Sequence, residues 1–156
     1  MWLENRGRGD RILSAVEITA LGIWSGAQIG FAFIFAPIAF RVLGDPLRFN
    51  AVVTPIFGAM SVLGYVCGGI AVLTALARSR DAGDRTADIV RAGLVVIALG
   101  LLSYHAHAIV PAITSIQDVT SPAFHALHDR SRVFYGGVLL LALAALVMVA
   151  LRRPNR

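Results

Sequence analysis

The stretch VFYGGVLLLALAALVMVAL, Val133 to Leu151, runs for nineteen residues without a charge. A helix needs about 20 apolar residues to cross a hydrocarbon core roughly 30 Å thick, and this run meets that length. Backbone groups in lipid must be satisfied within the segment, and nothing here alternates like a barrel strand, so the run predicts a helix. Three similar runs precede it, at about Ile12–Phe40, Ala51–Ala77 and Ala92–Val110. The first is long enough to tilt or to overshoot at Pro37. Composition agrees. Of 156 residues, 57% are hydrophobic and 15% charged, too few charges to cover a soluble domain of this size. The sequence therefore predicts an all-α integral membrane protein. It is a single domain over residues 1–156, a four-transmembrane-helix bundle whose first partner is the lipid bilayer.

The net charge of +5 would point to nucleic acid in a soluble chain. Here all fourteen basic residues are arginines placed in the gaps between apolar runs, so topology accounts for them and no nucleic-acid partner is expected. Arg6, Arg8, Arg11, Arg78, Arg80, Arg85, Arg91, Arg152, Arg153 and Arg156 fall on one side of a four-span layout, against Arg41, Arg48, Arg130 and Arg132 on the other. Ten against four places both termini in the cytoplasm, and the exclusive use of arginine hints at a GC-rich bacterium and hence its inner membrane. The basic N-terminus resembles a signal peptide. Its apolar run is too long, however, and lacks a small-residue cleavage site, so a retained first span is expected. Cys67, alone in an apolar run, cannot form an intrachain disulfide and reads as a small buried residue.

Side-chain spacing suggests how the spans meet. Gly22, Gly26 and Gly30 recur every four residues in span one, and Gly64 and Gly68 do so in span two, which predicts a close glycine-faced pairing of these two spans. Gln28 lies mid-span; an unpaired amide is costly in lipid, so it is expected to face the bundle and bond across it. Glu17, nearer the inner interface, calls for Arg11 or Arg91 as counter-charge. The loop RSRDAGDRTADIVR, Arg78 to Arg91, reads as a solvated connector. Ser121 followed by Pro122 is a helix start, Ser as N-cap and Pro at the first helical position, which extends the fourth helix to about 122–151.

All four histidines fall in the outer half. His125 and His128 share a helical face with Arg132. His105 and His107 lie about 200° apart around a helix and cannot both face inward. The face of His107 carries Gly100 and Ser103, small and polar, whereas that of His105 carries Leu94, Ala98, Leu101 and Leu102. This favours His107 as the inward residue and sends His105 towards the headgroups with Tyr104. Gln28, Arg41, His107, His128 and Ser131 form the candidate ligand-binding set. His105, His107, His125 and His128 are candidate metal ligands, since imidazole suits copper, zinc and haem iron. No spacing diagnostic of zinc accompanies them.

WSGAQIGFAFIFAPIAFRVL (Trp24–Leu43), RFNAVVTPIFG (Arg48–Gly58), the Pro111 region and FHALHDRS (Phe124–Ser131) occur in an order that resembles the transmembrane protein 205-like family, also called domain of unknown function 4149. The resemblance implies a small four-helix membrane protein of poorly defined activity, with a eukaryotic relative associated with platinum-drug resistance and export. It carries over Trp24, Gln28, Phe40, Arg41, His128 and Ser131 as family positions. His105 and Tyr135 stand where the family pattern has asparagine.

Three functions fit these residues. The first is handling of a small ligand or ion at an outer-side histidine cluster, for which so short a chain would form a homo-oligomer. The second is a metal- or haem-binding protein, with redox chemistry as one branch. The third is an accessory subunit that uses its glycine faces to join a membrane-protein partner. No phosphate loop, dinucleotide fingerprint or nucleophile elbow is present, so a soluble-type enzyme is not indicated.

Overall fold

The computed structural model describes residues 2–80, 85–116 and 118–152, with side-chain surroundings from residue 9 onward. Four helices are long and apolar enough to cross a membrane: span one Gly9–Leu43, span two Pro46–Arg78, span three Arg85–Thr114 and span four Pro122–Ala150. They run up and down around a square in which each packs on its sequence neighbours and span four closes on span one.

Local chemistry sets the turns. Gly44 takes the left-handed conformation (φ 61°) that ends span one, which costs a residue without Cβ little. Asp45 then caps span two, accepting a hydrogen bond from the Leu47 N–H at 2.9 Å, with Pro46 at the first helical position. Ser121 does the same for span four, accepting from the Phe124 N–H at 3.2 Å. In the connection before it, the Asp118 carboxylate accepts from the Thr120 hydroxyl (2.6 Å) and N–H (2.9 Å), and these bonds hold its pKa below the ordinary range.

Two spans contain a π-turn, Phe31–Phe35 in span one and His105–Ile109 in span three. Each ends two residues before a proline. Pro37 and Pro111 supply no N–H and crowd the carbonyl four residues back. The chain accommodates this with wider bonds, Ala36 N–H to Phe31 C=O and Val110 N–H to His105 C=O.

The core is a stack of layers. Ala71, Ala75, Val95, Ala145 and Val149 fill one, and Leu21, Trp24, Cys67, Ala98, Leu102, Val138 and Ala142 fill the next, with Cys67 buried as expected. The glycine expectation divides. A methyl group on Gly64 would lie 2.6 Å from Leu102 Cδ2 and 2.8 Å from Trp24 Nε1, and one on Gly68 would lie 2.7 Å from Leu99 Cδ2. Spans one and two do pair, through the Trp24 indole seated on Gly64. Gly22, Gly26 and Gly30 face away instead, and a methyl on any of them would meet nothing within 4 Å. The inward face of span one is taken by the larger Leu21, Trp24 and Gln28. Thus Gly64→Ala should destabilise by about 1–3 kcal/mol, the cost of overpacking against a rigid indole. Gly26→Ala should be neutral or stabilising, because alanine is the better helix former. Thermal unfolding in one detergent compares the two; equal melting would refute the seat.

At the end of the bundle nearest the termini lies a buried ionic layer. Glu17, Arg78, Asp88 and Arg91 are each at most 1% exposed. Arg78 pairs with Glu17 and donates to Ser14 Oγ at 2.7 Å. Arg91 reaches diagonally from span three to donate to Glu17 Oε1 at 2.7 Å, and also pairs with Asp88. Arg152, just beyond span four, donates to Asp88 Oδ1 at 3.1 Å. Arg91 is thus a partner of Glu17 as expected, whereas Arg11 is exposed. The solvated-connector reading is corrected at Arg78, Asp88 and Arg91, which are helical residues turned inward; residues 81–84 of that loop lie outside the described ones.

Candidate functional site

On the side of Trp24 away from the ionic layer, all four spans contribute side chains to the interior, polar ones from spans one, three and four. Span three supplies His105, 2% exposed, whose Nε2 is 2.7 Å from Ser131 Oγ of span four. Span two supplies Phe57, edge-on to the imidazole with centroids 5.4 Å apart. Phe31 of span one and Tyr135 of span four complete the ring cluster, with Phe31 and Phe57 centroids 4.8 Å apart and Phe57 and Tyr135 5.8 Å apart. The Tyr135 hydroxyl donates to the Gln28 carbonyl at 3.4 Å.

Span one carries an unusual row on this side. Trp24, Ser25 and Gln28 are at most 2% exposed, yet Trp24 Nε1, Ser25 Oγ and Gln28 Oε1 have no hydrogen-bond partner among the described residues. A buried polar group left unpaired costs about 1–3 kcal/mol, so a row of three asks for an explanation beyond packing. Gln28 faces the bundle as expected; only its backbone carbonyl bonds across.

The choice between the two histidines is corrected. His105 faces inward and His107 is exposed on the flank. The small, polar Gly100 face that seemed to mark the interface is open, and the seam runs instead through Val95, Ala98, Leu102, His105 and Ile109. Tyr104 is exposed, with the Arg130 guanidinium 5.7 Å from its ring centroid.

The remaining candidates do not join this layer. Arg41 is exposed near the tip of the hairpin between spans one and two. His128 is exposed and stacks on Phe124 at 5.9 Å, and His125 is exposed beside the same ring. Among the described residues no three His, Cys, Asp or Glu side chains are grouped to hold a metal ion. From the candidate ligand set the interior gathers Gln28 and Ser131; from the metal set it takes His105 alone. Sequence reading missed Ser25 and Tyr135 as site residues. Their signal was present: Ser25 lies between Trp24 and Gln28, and Tyr135 is one turn after Ser131.

The fold and this layer define a multi-pass helical membrane protein with an uncharged hydrogen-bonding interior near one end. A family match then names the class more closely: residues 19–122 match the Domain of unknown function (DUF4149), and the chain belongs to that family. The matched region holds Trp24, Gln28, Phe57 and His105, while Ser131 and Tyr135 lie beyond it. No curated protein and no solved structure matches the chain.

Proposed function

We propose that the chain binds a small hydrogen-bonding ligand at the layer of Trp24, Ser25, Gln28, His105, Ser131 and Tyr135. The unpartnered row on span one carries this reading, because three buried donors and acceptors are costly when empty-handed and useful when a ligand satisfies them. No carboxylate or guanidinium belongs to the layer, so a neutral solute suits it better than a bare ion, whose hydration nothing here would replace. The separation of the four histidines gives the metal and haem reading less support. The arginine distribution supports both termini in the cytoplasm of a bacterial inner membrane, with the ligand layer towards the outer side. The order of the Phe40-Arg41, Pro111 and His128-x-x-Ser131 motifs supports the transmembrane protein 205-like branch. A second reading, assembly with another copy or as an accessory subunit, is favoured by the open Gly22, Gly26 and Gly30 face.

Native mass spectrometry of gently detergent-extracted protein tests the ligand reading. Wild type should retain a small molecule, and Gln28→Leu should lose it while melting above wild type stripped of that molecule, because an unpaired amide has been removed. Elemental analysis of the same sample addresses metal and should find less than one ion per chain. Wild type that retains no small molecule, and whose melting is unmoved by a panel of neutral polar solutes, would sink the reading.

A further inference from the structure

His107 is left outside the buried layer, but it is not simply lost to the lipid. It lines a groove of about 400 Å³ on the flank of the bundle, between spans two and three. The irregularities of the two helices frame this opening: Pro55 inside span two, and the π-turn with Pro111 in span three. Apolar walls come from Phe57, Val62 and Pro111, and hydrogen-bonding groups from Tyr65, Thr114 and His107. The Tyr65 hydroxyl is buried with no partner among the described residues.

A second groove gives the comparison. It lies between the far half of span one and the start of span two, is larger at about 550 Å³, and is lined by Gly30, Ile34, Phe35, Ile38, Val42 and Val52 among others, all apolar. Acyl chains satisfy such a surface, since lipid tails are as apolar as its walls. They cannot satisfy the His107 groove, where an imidazole and an unpartnered phenol stand within a membrane-crossing stretch. No charged side chain lines it, so a charged headgroup would find no counter-ion there.

We propose that the His107 groove is a binding site for a neutral, bilayer-dissolved molecule with an apolar body and a hydroxyl or carbonyl head. The head bonds to Tyr65 Oη and His107, and the body lies along Phe57, Val62 and Pro111. Its volume falls within the usual span of small-molecule sites, about 300–1,000 Å³. Phe57 is the back wall, and its ring is edge-on to His105, so this site and the buried layer stand one ring apart. The groove is a separate site, and it stands or falls independently of the layer.

Photolabelling of the full chain in liposomes tests it with two probes, a diazirine analogue of octanol and the same chain without the hydroxyl. The alcohol should label the peptides around Tyr65 and His107 about fivefold more than the hydrocarbon, the factor one neutral hydrogen bond supplies. The two probes should label the groove at Ile34 and Val52 equally. A Tyr65→Phe/His107→Leu double variant should abolish the preference, and Tyr65→Phe alone should halve it or more should the double variant fold poorly. His105→Leu separates this site from the buried layer: the preference should persist in it even where native mass spectrometry shows the layer's ligand gone. Equal labelling by the two probes at Tyr65 and His107, or a preference unchanged by Tyr65→Phe/His107→Leu, would overturn the proposal.

Discussion

Replacing Glu17 with leucine should cost the bundle about 3–5 kcal/mol, more than any other substitution considered for this chain, because it leaves buried guanidinium groups without their counter-charge. Glu17 serves both Arg78 and Arg91. Without it, Asp88 is the one buried carboxylate among the described residues left to face Arg78, Arg91 and Arg152, the first two of them fully enclosed. A charge cannot remain unpaired there; the helix ends must part to admit water, and helix contacts open with them. The companion variant distinguishes a charge effect from lost packing. Glu17→Met/Arg78→Met removes one charge of each sign and leaves Asp88 with Arg91 and the partly exposed Arg152. Most of the stability should return, as it does where a buried ion pair gives way to apolar side chains. Thermal or denaturant unfolding in a single detergent measures both. A Glu17→Leu protein that melts with wild type would show that water already reaches the layer.

This layer also shows where reading the sequence succeeds and where it fails. The four spans were legible because a membrane imposes one length and one composition on every crossing. The helix start at Ser121-Pro122 was legible because capping is local chemistry. Which way each helix faces was not. In a soluble helix polarity sorts the faces, but in lipid the outside is as apolar as the core, so Val62 at the flank and Val95 at the centre look alike as letters. The arginine-rich loop misled for a related reason. Arg78, Asp88 and Arg91 have the composition of a connector, and only the approach of Glu17 from another span reveals them as interior. Two GxxxG patterns were equally visible, yet of the two only the Gly64 and Gly68 face is filled among the described residues, by Trp24 and Leu102 at Gly64 and by Leu99 of span three at Gly68. The ligand layer was half legible: Gln28 and Ser131 stood out as polar residues, but their meeting with His105 depends on which face of span three turns inward, and that face, Val95, Ala98, Leu102, His105 and Ile109 at spacings of three and four, is mostly apolar. Gly100 and Ser103 mark the opposite face, the open one that carries His107.

The two histidines should therefore respond unequally to the same change. His105→Leu removes the partner of Ser131 in a buried site and replaces an imidazole held among Phe57 and Tyr135. The orphaned hydroxyl and the misfit together should cost about 2–4 kcal/mol. Ser131→Ala should cost less, since a small side chain leaves little void, though it strands the imidazole. If the bond is what couples them, the double variant will be less destabilised than the sum of the singles by about 1 kcal/mol or more. His107→Leu sits on the open flank and should stay within about 0.5 kcal/mol of wild type. The contrast needs no knowledge of the ligand, because it reads only which imidazole the fold encloses. Equal losses for the two leucine variants would place both rings in similar surroundings and refute the inward face assigned to span three. A loss confined to His107→Leu would put that ring inside the bundle, and the buried layer would have to be rebuilt around it.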